Sequence, residues 1–126
     1  MHKTLLSVMV VLALLVSLCG CNSEEVGQFS YSKYLQEYGI MGDSDYFPSQ
    51  VQPVGSAKEA CRTALEVWLP IYGSDVLFQC PYQVSYDKNA GVWFVIGSLP
   101  PNTDGGTAII LIEAATGKIL DCWHGK

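Results

Sequence analysis

The side chains that could do chemistry in this chain are few, and most lie near its end. Asp121 and His124 are an acid and a base by type, but three residues apart on a strand they face opposite sides, so they cannot serve one proton transfer. Cys61, Cys80 and Cys122 with His124 offer four metal-ligating groups, yet no CxxC pair gives a local chelate, and no metal site is read from them. In an oxidising compartment the same three cysteines allow one disulfide, in any of three pairings, with one thiol left over; they could equally stay as buried reduced thiols. Asp104-Gly105-Gly106 has the composition of a phosphate cradle, but a strand pattern follows where a helix would be required, so it reads as a turn. Tyr72, Tyr86 and Trp93 suit either a concave pocket or a packed core, and together with Asp121 they are the candidate pocket or partner-binding residues. No catalytic set and no cofactor is indicated, and the chain reads as a non-enzyme.

These residues need a scaffold, and the segment from Gly91 to His124 supplies most of it as three predicted strands joined by two turns. Val92–Leu99 is apolar on both faces and is placed centrally, with Gly97 marking a bend or the close approach of a neighbour. Thr107–Glu113 is the next strand, and Ala115-Thr116-Gly117 turns the chain into Lys118–Trp123. Upstream, Ser56-Ala57-Lys58-Glu59 matches the S-x-x-E capping box, so a helix starts there. Ala57, Ala60, Cys61, Ala64, Leu65 and Trp68 form its apolar face, while Lys58, Glu59, Arg62 and Glu66 form the other. Pro70 is expected to stop or kink the helix near Trp68. From Asp75 the period changes to two, which predicts extended chain through Cys80, an edge or bulge at Pro81, and a half-buried strand over Tyr82–Asp87. One main helix packed on a curved four-stranded antiparallel sheet is an α+β domain.

The start of the chain has a different character. Met1–Lys3 is a short positive stretch, Leu5–Leu18 is apolar but short for a bilayer span, and small residues follow, the pattern of an export signal. Leu18-Cys19-Gly20-Cys21 resembles a bacterial lipobox, which implies residues 1–20 as a lipoprotein signal peptide and Cys21 as an acylated lipid anchor. The resulting location is the cell envelope, on the outer face of the cytoplasmic membrane or on the outer membrane. Residues 21–53 read as a tether with a short helix in which Tyr31, Tyr34, Leu35 and Tyr38 share one face and Gly39 ends it; residues 54–126 are the domain. That aromatic face is expected to dock on the domain, with partner binding as its other use. Seven basic side chains less Lys3 leave six against twelve acidic ones, a net charge of −6, which repels phosphate backbones and argues against nucleic-acid binding.

Taken as a set, Gly55 and the capping box, Ala60, Leu69-Pro70-Ile71-Tyr72-Gly73, Pro81, Trp93-x-Val95-x-Gly97-x-Leu99-Pro100, Gly105-Gly106, Gly117-Lys118-Ile119-Leu120 and His124-Gly125-Lys126 resemble bacterial immunity proteins of nuclear-transport-factor-2-like fold. The resemblance spans residues 52–126. It implies a cone-shaped α+β fold, in the cystatin and nuclear-transport-factor-2-like class, and a role in neutralising a cognate protein toxin from a polymorphic toxin system by direct binding. It also implies a comparison with small isomerases and dehydratases sharing that fold, in which Asp121 beside Tyr72 would stand for base and hydroxyl donor. The second function weighed is an envelope lipoprotein that holds a small ligand or a cell-wall component in the cone.

Overall fold

A computed structural model describes residues 26–42 and 52–126. The expected signal peptide, the expected anchor Cys21, and residues 22–25 and 43–51 of the expected tether lie outside those residues. The order is β1 (Gly27–Gln28), α1 (Tyr31–Glu37), α2 (Ala57–Tyr72), a 3-10 helix (Gly73–Gln79), β2 (Gln83–Asp87), β3 (Val92–Ile96), β4 (Ala108–Glu113) and β5 (Ile119–His124). The strands form one open sheet in the order β1-β2-β3-β4-β5. Among the described residues no helix is long and apolar enough to cross a membrane.

The capping box forms as the sequence requires: the Ser56 hydroxyl accepts from the Glu59 amide at 3.2 Å. Glu59 reaches back to the Gly55 amide, at 2.7 Å, one residue earlier than expected. Ala60, Cys61, Ala64, Leu65 and Trp68 are wholly buried, and their small members let α2 lie against the sheet. The helix continues through Pro70 to Tyr72, so of the stop or kink expected near Trp68 the stop does not occur. Pro70 falls in the last turn, where its missing amide removes a single hydrogen bond and no further turns are disrupted.

Three expectations are corrected. Asp75–Cys80 is a 3-10 helix and not a strand, because Val76 and Gln79, three apart, bury on one side while Phe78 stays 78 % exposed. A period of two and a period of three are indistinguishable over so few residues. The sheet has five strands and is mixed, since β1 pairs parallel with β2, Gly27 opposite Ser85 and Gln28 opposite Tyr86. The two strands lie close there, for a Cβ on Gly27 would stand 2.7 Å from the Ser85 hydroxyl, which would have to turn aside. Finally, β3 ends at Ile96 because Gly97 receives the Gln79 side chain, whose Oε1 would lie 2.4 Å from a Cβ.

The sheet buries two clusters, one on each face. The inner face packs Val84, Trp93, Val95, Ile110, Ile112, Ile119 and Cys122 against α2. The outer face packs Val92, Ile109 and Leu111, with Phe94, Leu120 and Trp123 at their margin, against Tyr34 of α1. Residues 26–42 thus act as a strap across the outer face.

Candidate functional site

A bulge in β5 decides where its polar residues point. Ile112 pairs with Ile119 while Leu111 pairs with Asp121, so Leu120 is an extra residue. Strict alternation would set Asp121 on the same face as Ile119, towards α2. The extra residue turns Asp121 to the outer face and Cys122 and His124 to the inner one. Asp121 and His124 are accordingly on opposite faces, and the Asp121–Tyr72 couple is not formed.

On the outer face Asp121 is fully buried and accepts four hydrogen bonds. Its Oδ2 receives the Tyr34 hydroxyl at 2.5 Å and the Met41 amide at 3.0 Å, and its Oδ1 receives the Gly42 amide at 2.7 Å and the Cys122 amide at 3.0 Å. The Trp123 indole donates to the Tyr34 oxygen at 2.8 Å. Burial, and then the bond to Asp121, hold the Tyr34 hydroxyl well above its ordinary pKa, so it stays a donor. Gly42 meets the strand so closely that a Cβ would sit 1.9 Å from the Cys122 carbonyl oxygen. At the other end of the strap Asp87 accepts from the Tyr31 amide at 2.8 Å and from the Asn89 and Ala90 amides at 2.9 and 3.1 Å. These backbone donors lower the Asp87 pKa below the usual carboxylate value. Two sheet carboxylates therefore clip the strap, Asp87 at the start of α1 and Asp121 at Tyr34 and at the end of the strap.

The strap leaves apolar surface exposed. Leu35, Tyr38, Ile40 and Met41 are 38 to 53 % exposed, so only Tyr34 of the aromatic face is buried outright. Beneath α1 a groove of about 320 Å³ is lined by Phe29, Tyr34, Tyr38, Phe94, Ile96 and Trp123.

The inner face holds the other expected site residues in two separate places. Tyr86 and Trp93 are cross-strand partners with ring centroids 4.4 Å apart, and the Trp93 indole donates to the Val54 carbonyl at 2.8 Å. They border an open groove of about 740 Å³ with Val54, Gly55 and Ala114. Tyr72 lies at the opposite end of the sheet, its hydroxyl 3.8 Å from the Cys122 sulfur and its ring edge-on to His124 at 5.2 Å. Tyr72, Tyr86, Trp93 and Asp121 thus do not share a pocket. Burial, chiefly, pushes the Cys122 thiol up to about 11, which keeps it protonated and a poor nucleophile. Cys80 and Cys122 are free thiols, so no disulfide forms among Cys61, Cys80 and Cys122. Among the described residues no group of three or more His, Cys, Asp or Glu side chains could hold a metal ion.

Gln79, which the sequence reading did not single out, ties that end together. Its Oε1 accepts from the Ala108 amide at 2.8 Å, and its amide nitrogen meets His124 Nε2 at 3.0 Å. With His124 Nδ1 at 2.8 Å from the Gly125 carbonyl, the network assigns the ring proton to Nδ1. Gly106 packs on Gly125 so tightly that a Cβ would lie 2.1 Å from its carbonyl carbon. The Gly-Gly turn and the His-Gly-Lys ending are therefore two halves of one contact. Asp87, Tyr34 and Gly42 were likewise missed as a set; a charged residue amid the apolar residues of β5 was the available signal.

With the geometry in place, comparison with known proteins gives one match: a family described as NTF2 fold immunity protein fits residues 59–126, which cover most of α2 and the strands β2 to β5. No curated protein and no solved structure matches the chain.

Proposed function

The chain belongs to the NTF2 fold immunity protein family, and from that premise we propose that it is an envelope lipoprotein that protects its own cell by binding a cognate protein toxin directly. The observation that carries the reading is the family match over residues 59–126. The export pattern of residues 1–20 and the lipobox-like run ending at Cys21 support anchoring on the outer face of the cytoplasmic membrane or on the outer membrane. The toxin then acts in the envelope. A net charge of −6 after removal of residues 1–20 speeds encounter with a basic partner.

The contact surface in this reading is the exposed ridge of Leu35, Tyr38, Ile40 and Met41. Apolar groups held in fixed positions lose little freedom on binding, and the Asp121 clip fixes Met41 directly through its amide. Toxin inhibition is steric, since Cys122 is protonated and Asp121 has no access to solvent. The alternative of a ligand in the cone finds less support, because Leu65, Trp68, Val95 and Ile110 fill that space with no exposure.

Co-expression tests the function. An envelope-directed toxin should become harmless in cells carrying this protein and remain lethal with Met41→Glu; if no toxin is neutralised, the reading fails. Cys21→Ala tests the anchor by fractionation: the protein should move to the soluble fraction, and continued membrane association would contradict anchoring through Cys21.

A further inference from the structure

We propose that the anchored protein rests on its bilayer through the end of the sheet marked by Gln83, Ile96 and His124, with Phe78 inserted among the lipid chains. This rests on the reading of Cys21 as the anchor and adds an orientation to it. Three observations converge on that end.

The first is the direction of the chain. β1 runs parallel to β2 with Gly27 opposite Ser85, so Val26 enters the sheet from the end marked by Gln83. Gln83 pairs with Ile96, Ile96 with Ile109, and Ala108 with His124, which defines one end of the sheet. The second is length. Five steps separate Cys21 from Val26, a reach of at most ~18 Å for fully extended chain, whereas a domain of about 100 residues has a radius of gyration of ~13 Å and is wider than that tether is long. An anchor on so short a lead cannot let the domain turn freely, and the surface where the chain leaves must lie close to the headgroups.

The third is what that surface carries. Tyr72, the last residue of α2, packs edge-on against His124, and Gln79 bonds His124, so the end of α2 and the 3-10 helix both belong to this end. Here Ile71 is 44 % exposed and Phe78 78 %, the largest exposure among the big apolar side chains described. Val26 at the point of entry is 42 % exposed. In the sequence the charges flanking these segments are Glu24, Glu25, Asp75, Asp104 and Lys126, four acidic against one basic, so attraction to anionic headgroups does not account for the orientation. The partner that fits is the apolar part of a lipid surface, which takes a phenyl ring at the interface without a specific pocket.

The experiment uses the full acylated chain in phosphatidylcholine vesicles whose acyl chains carry bromine, a contact quencher of indole fluorescence. Phe78→Trp adds an emitter at a mostly exposed position, and the parent protein supplies the background from Trp68, Trp93 and Trp123. The added emission should be mostly lost in brominated vesicles and kept in unbrominated ones. Lys88→Trp, in the turn at the far end of β2, should keep its emission in both. If the protein floats with the vesicles but the Phe78→Trp signal is unquenched, the orientation is wrong while the anchor stands. Quenching of Lys88→Trp instead also overturns it. A Phe78→Trp signal that changes only on adding toxin assigns the residue to the protein partner and overturns it too. A chain with intact Cys21 that fails to float removes the anchor and the orientation together.

Discussion

The two faces of the sheet are built by different physics. The inner face is closed by a long helix whose small and large apolar residues fit between strands, and its cohesion is apolar burial. The outer face is closed by seventeen residues of strap, of which only Tyr34 is a buried large side chain. Its cohesion is directional: the fully buried Asp121 carboxylate takes donors from Tyr34 and Gly42, and Asp87 takes one from the start of α1. Apolar contacts tolerate small shifts, whereas a buried carboxylate left without its donors carries a large desolvation cost. The inner face is therefore expected to set global stability, and the outer face to behave as a unit that is either clipped or open.

Substitutions should separate the two. Trp68→Ala, on the inner face, should cost about 3 to 5 kcal/mol and lower the urea midpoint of the whole domain. Asp121→Ala should cost about 2 to 4 kcal/mol, since the Tyr34 hydroxyl and the Met41 and Gly42 amides lose a charged acceptor. Hydrogen exchange should show protection lost over residues 34–42 while β3 and β4 keep theirs; equal loss in both would erase the distinction between the faces. Gly42→Ala should have a smaller effect of about 1 to 3 kcal/mol, confined to the strap, because the new methyl meets the Cys122 carbonyl and the clip must shift to admit it.

The smallest effect is acid sensitivity at the start of α1. Asp87 has a folded pKa below its unfolded one, so its contribution is complete above about pH 4 and is lost as pH falls through the lower folded value. Exchange at the Tyr31 amide should rise in that acid window, and Asp87→Asn should remove the pH dependence.

Much of the inner face was legible. The capping box and the three-four spacing of α2 recorded its geometry, and the strands β3 and β4 followed from apolar runs bounded by turn residues. The outer face was less so, for three reasons. The pairing of β1 with β2 covers two residues, too short to leave a period. The bulge at Leu120 reverses the side on which Asp121 stands, and no local pattern announces it. The role of Gly42 depends on the backbone of a strand about eighty residues away. Val76 and Phe78 misled in another way, since a 3-10 turn and a strand share the same short apolar pattern. Tyr72, Tyr86 and Trp93 could be recognised as inward-facing, but not as belonging to opposite ends of the sheet.

The proposed immunity by direct binding is tested by exporting a candidate toxin into the envelope of cells with and without this protein, followed by affinity purification of the toxin. Survival is expected only when the protein is present, together with a stable complex of the two that Met41→Glu abolishes. Survival without any complex, or a complex that leaves the toxin lethal, would contradict it.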